Sequence, residues 1–145
     1  MADPHAPMST AKALGIYLQA YSAPFDWRRA HCGDFAGGWV LACTGRSPTA
    51  GMPRHATALG WRRALEQSGG MVAVVSARLQ RQPILPTLAQ VGDVVMLPGD
   101  LTGGTLAICA GRTAICVDDA GATVHVPMSD ALHAWRLMAE HEAQA

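Results

Sequence analysis

Near its middle this sequence changes pattern. Up to about residue 80 the apolar residues recur at the spacing of a helix with one buried face. After residue 91 they come in short runs separated by glycine-bearing turns, as in strands joined by tight connections. Helices first and strands afterwards imply an α+β layer fold with N-terminal helices packed on a small antiparallel sheet. A doubly wound parallel sheet would need the two to alternate.

Ser9 or Thr10 can cap a first helix running to about Tyr21, with Leu14, Tyr17, Leu18 and Tyr21 on one face and Pro24 as its stop. A loop from Phe25 to His31 leads to a second helix from Cys32 to Thr44, with Phe35, Trp39, Val40 and Cys43 at helical spacing and Gly45 at its end. Gly37 and Gly38 inside it cost about 1 kcal/mol each relative to alanine, which implies that another backbone packs closely there. Residues 46–54, with Pro48, Gly51 and Pro53, read as a loop. Helical segments follow at Thr57–Gln67 and Met71–Gln80, broken by Ser68-Gly69-Gly70. Strands are expected at Gly92–Leu97, Thr105–Ala110, Thr113–Val117 and Thr123–Val126, and a last helix at Ser129–His141 capped by Ser129. The 145 residues fit one domain, 9–141, preceded by a loose tail at 1–8 and carrying residues 57–80 as a helical insertion.

Eleven basic residues balance eleven acidic ones, so no general electrostatic pull toward nucleic acid or an anionic membrane is expected. No apolar run reaches the roughly 20 residues that span a bilayer, and Met1–Met8 lacks the apolar stretch of a secretory signal. Synthesis in a cytoplasm is the expectation. The cysteines at 32, 43, 109 and 116 lack Cys-x-x-Cys spacing and zinc-site histidines. Free thiols, no metal and no cofactor are expected. A tight turn at Gly111-Arg112 puts Cys109 opposite Ala114 and both hairpin cysteines on one sheet face, as small core residues.

Cys32 carries the chemistry worth asking about. A thiol at a helix N-terminus feels the positive end of the macrodipole and unpaired N–H groups, and both favour the reactive thiolate. A small buried cysteine has the same sequence appearance.

Around Cys32 the sequence resembles the NlpC-like, papain-fold cysteine peptidases. His31-Cys32-Gly33-Asp34-Phe35 is similar to that family's Asp-Cys-Ser-Gly-Phe helix opening, Gly92-Asp93-Val94-Val95 to its Gly-Asp-Leu-Val strand, and Thr105–Gly111 to its His-Val-Gly-Ile-Tyr-Leu-Gly strand. The order of the three pieces is also the family's. The stretch is closer still to a phage and prophage subgroup, a tail-gene-associated domain of unknown function related to NlpC. The similarity lies in Trp27-x-x-x-His31-Cys32-x-x-Phe35-Ala36-x-x-Trp39-Val40, Gly45-Arg46-x-Pro48, Ala58-Leu59 before Gly69-Gly70, and Ala89-Gln90-x-Gly92-Asp93-Val94-Val95.

That resemblance implies Cys32 as nucleophile, but Thr105 stands where the family keeps its histidine and Cys116 near its third residue. Threonine is no base near neutral pH, and a thiol cannot orient an imidazole as a carboxylate does. His125 could substitute only if it faces Cys32. If Val124 and Val126 face the core helices, strand alternation turns it away. His31 reads as a loop or cap residue, and His55, His133 and His141 as solvated. The resemblance therefore implies a structural or assembly component of a bacteriophage tail tip, made in a bacterial host cytoplasm and destined for the virion tail. Its expected partners are tail-tip and hub proteins. The alternative is an active cysteine peptidase or amidase on peptidoglycan stem peptides.

Overall fold

A computed structural model describes residues 9–137 except 29, 100 and 101. The expected tail at 1–8, and 138–141 of the expected last helix, lie outside the described residues. Helix α1, Thr10–Ala20, begins at Ser9, whose Oγ accepts the Lys12 N–H at 3.2 Å. Helix α2, Cys32–Thr44, begins at His31 and ends at Gly45, which takes φ +75° to close it. Helix α3, Ala58–Gln67, is capped by Thr57, and helix α4, Met71–Leu79, follows Gly70.

Among the described residues five strands follow: β1 Val94–Leu97, β2 Thr105–Cys109, β3 Thr113–Val117, β4 Thr123–Pro127 and β5 His133–Trp135. They form one open antiparallel sheet in the order β4-β3-β2-β1-β5. The fold is α+β. No described helix is long and apolar enough to cross a membrane.

Strand alternation divides the sheet's side chains between two cores. Val94, Met96, Ile108, Ile115, Val117 and Trp135 point to the helices and pack with Leu14, Phe35, Trp39, Val40 and Val75. Val95, Leu97, Ala107, Cys109, Ala114, Cys116 and Ala134 point the other way, under Ile84, Ala89, Val124, Val126 and Met128. Cys109 stands opposite Ala114, with both hairpin cysteines on this second face.

Two bonds fix α2 on its neighbours. Trp39, 1% exposed, donates Nε1–H to the Gly92 carbonyl at 2.8 Å. Tyr17 of α1 donates its hydroxyl to the Phe35 carbonyl at 2.7 Å. Gly37 and Gly38 make room for side chains, where the sequence suggested a backbone. A Cβ on Gly38 would sit 2.5 Å from the Tyr17 hydroxyl, and one on Gly37 3.2 Å from Thr49 Cγ2.

The Gly-Asp pair before β1 acts as a clasp. Asp93, buried, accepts the Gln90 N–H at 2.8 Å and the Leu137 N–H at 3.1 Å, and Arg136 Nε lies 3.8 Å away. Burial pushes its carboxyl up against the pull of these partners.

The last element corrects the sequence expectation. In place of a helix from Ser129, one 3₁₀ turn, Met128–Asp130, leads into β5. β5 pairs with β1, Val94 opposite Trp135 and Met96 opposite His133, so His133 is on a strand. All four residues of β1 are buried. A strand buried on both faces keeps its edge amides satisfied only by pairing on both sides. That tertiary demand outweighs the local helical pattern of residues 129–137.

Candidate functional site

His31 is the N-cap of α2. Its Nδ1 accepts the Gly33 N–H at 2.8 Å, while the Asp34 carboxylate reaches back to the His31 N–H at 3.1 Å. The spacing is that of a capping box, with an imidazole in place of the usual hydroxyl. A ring nitrogen that accepts an amide proton carries none itself, so the neutral ring holds its proton on Nε2. Nε2 is buried, without a hydrogen-bond partner among the described residues, and 3.6 Å from Asp34 Oδ2.

The imidazole packs edge-on to Trp61 with ring centroids 4.5 Å apart. Trp61 in turn donates Nε1–H to the Trp27 carbonyl and carries Arg54 over its face, 5.7 Å from the ring centroid. Arg54 also pairs with Asp34. Burial pushes the His31 pKa down; Asp34 opposes this and Arg54 adds to it.

Cys32 begins α2, half-buried, with its side chain in the helix-side core. Burial pushes its thiol up, against backbone amides of Leu106 and Gly33 that favour the thiolate. A cavity of about 90 Å³ opens beside it, lined by His31, Ala36, Trp61, Leu65, Val75 and Leu106 among others.

Neither residue at the family's partner positions, Thr105 or Cys116, lines that cavity. Thr105 stands opposite Leu97, on the face turned from the helices, and Leu106 is the β2 side chain against the Cys32 core. Cys116 lies on the far face. His125, opposite Ile115, is on the helix side of the sheet because Val124 and Val126 take the other face. It sits exposed on the edge strand, 2.9 Å from Thr113 Oγ1. His55 packs on Trp61 at 5.0 Å, half-buried where solvation was expected.

Asp34, Arg54 and Leu106 were not given a role from sequence, and Trp61 was read only as a packing or interface residue. The His31-x-x-Asp34 spacing could have flagged the first. Nothing local to Trp61 reveals that it seals this corner. Among the described residues no His, Cys, Asp and Glu group is placed to hold a metal ion.

A family model described as a domain of unknown function, DUF6950, matches residues 9–137. The chain belongs to that family. No curated protein matches the chain. The span of the DUF6950 match takes in the four described helices, the sheet and the Cys32 corner.

Proposed function

We propose that this DUF6950 protein is a bacteriophage tail-tip structural or assembly component. In this reading it has a degenerate NlpC-like, papain-type fold that contacts hub proteins and does not hydrolyse. One observation supports the reading most: the histidine beside Cys32 has no lone pair to offer. His31 Nδ1 is occupied by the Gly33 N–H, and Nε2 carries the ring's proton. Leu106, which cannot act as a base, lines the same cavity as the thiol. Burial holds the thiol in its protonated, unreactive form.

The test is Cys32→Ala in the producing phage. Unchanged particle yield, tail morphology and plaque count are expected. Normal particles that fail to infect would overturn the reading in favour of hydrolysis.

The Leu106 and Gly33 amides at the sulfur favour a second reading, a cysteine peptidase or amidase on peptidoglycan stem peptides. It requires purified protein to release soluble fragments from sacculi, and Cys32→Ala to abolish the release.

A further inference from the structure

The cavity beside Cys32 has walls of Trp61 and Leu65 from α3, Met71 and Val75 from α4, and Leu106 from β2. It is smaller than the roughly 150 Å³ apolar cavity that admits benzene, and well above the roughly 10–15 Å³ that a water needs. A branched aliphatic group of about four or five carbons suits that space. The polar lining comprises Thr49, Arg54, Arg78, Thr102 and His31; of these His31 is 9% exposed, and its Nε2–H has no acceptor within hydrogen-bond distance among the described residues. The nearest carboxylate oxygen, Asp34 Oδ2 at 3.6 Å, already accepts the backbone N–H of His31. A buried donor left unmatched keeps the cost of its lost hydration, so an acceptor delivered there gains more than a surface hydrogen bond would.

We propose that this cavity binds a compact, uncharged, branched aliphatic molecule carrying one carbonyl oxygen, with the oxygen on His31 Nε2–H and the branched tail between Val75 and Leu106. The ligand is uncharged because the walls are mostly apolar and both lining cations are already engaged, Arg54 with Asp34 and Arg78 with the Ala50 carbonyl. The site does not depend on the tail-tip reading, since it uses neither hydrolysis nor a protein partner.

The probe is 3-methylbutanamide, titrated into ¹⁵N-labelled full-length protein, with acetamide as the tail-less control. Saturable shifts are expected in residues 31–40 and 71–79 with the branched amide and not with acetamide. His31→Asn keeps an N-cap acceptor for the Gly33 amide but loses the Nε2 donor. It should weaken binding about fivefold, the worth of one net hydrogen bond. Val75→Trp fills the cavity and should abolish binding. If that variant does not fold, the His31→Asn comparison still decides. No saturable shift in the wild type, equal response to acetamide, or equal affinity in His31→Asn each overturns the proposal. The second of these outcomes marks the space as one occupied by water.

Discussion

Gly33 donates its backbone N–H to Nδ1 of His31 at 2.8 Å, and this bond makes the histidine next to Cys32 a helix cap. The imidazole must be neutral to accept it. Burial lowers its folded pKa below the ordinary 6.5 or so, so the unfolded chain takes up the proton first. Stability is then fully present above the unfolded pKa and falls as pH drops from about 6.5 toward the folded value. Urea unfolding at pH 8 and pH 5.5 should show a loss in wild type that His31→Asn does not share. His31→Ala should lose about 1 kcal/mol at pH 8, the usual cost of removing a cap.

Thr105 and Leu106 occupy opposite faces of β2, and only Leu106 meets the core around Cys32. Restoring the histidine that the NlpC resemblance suggests, Thr105→His, should leave Cys32 labelling by iodoacetamide at pH 6 unchanged. Leu106→His should speed it by setting an imidazole against the sulfur. In wild type, Cys32 should label appreciably only above the ordinary thiol pKa of about 8.5, because burial raises it. Mass-spectrometric labelling rates at each cysteine, from pH 6 to 10, check all three. Acceleration by Thr105→His would place that side chain on the helix side and contradict the register.

What was legible in the sequence follows the range of the forces involved. The helices and strands β1 to β4 announce themselves through apolar periodicity and punctuation by Gly45, Gly70, Gly111 and Gly121, which are local signals. β5 does not, because residues 133–135 become a strand only to complete β1, about forty positions earlier. The site divides in the same way. A thiol at a helix start was readable from Cys32 and its neighbours. Which β2 side chain faces it depends on how the sheet sits against α2, and alternation alone leaves that parity open. The wall supplied by Trp61 and Val75 depends on where α3 and α4 fold back, which no local pattern encodes.

Gly38 leaves the space that the Tyr17 hydroxyl fills. Gly38→Ala gains about 1 kcal/mol of helix propensity. It also drives a Cβ to 2.5 Å from that oxygen, and Tyr17 cannot easily yield, being wedged between Tyr21, Phe35 and Trp39. Net destabilisation of about 1 kcal/mol is expected. In a Tyr17→Phe background, where the hydroxyl is gone, the same substitution should become neutral or stabilising. A double-mutant cycle by thermal or urea unfolding reads the reversal directly. Additive effects would mean that the glycine is not there for the tyrosine.

Asp93 and Arg136 offer a case in which amide bonds and an ion pair can be weighed against each other. The carboxylate is buried and takes two backbone N–H groups, from Gln90 and Leu137, that tie the entrance and exit of the β1–β5 pair together. Arg136 Nε lies at 3.8 Å, beyond hydrogen-bond distance, so it acts on the carboxylate through its charge alone. Asp93→Asn keeps the shape but turns an amide donor toward one of the two N–H groups. That leaves one buried donor unmatched, at about 1–3 kcal/mol. Arg136→Gln removes only the distant charge and the bond to the Leu88 carbonyl. Urea unfolding at pH 7 should therefore rank Asp93→Asn as clearly the more damaging of the two. Hydrogen exchange at Leu137 should rise in Asp93→Asn and stay near wild type in Arg136→Gln. The reverse ranking would mean that the ion pair, and not the amide clasp, holds β5 in place.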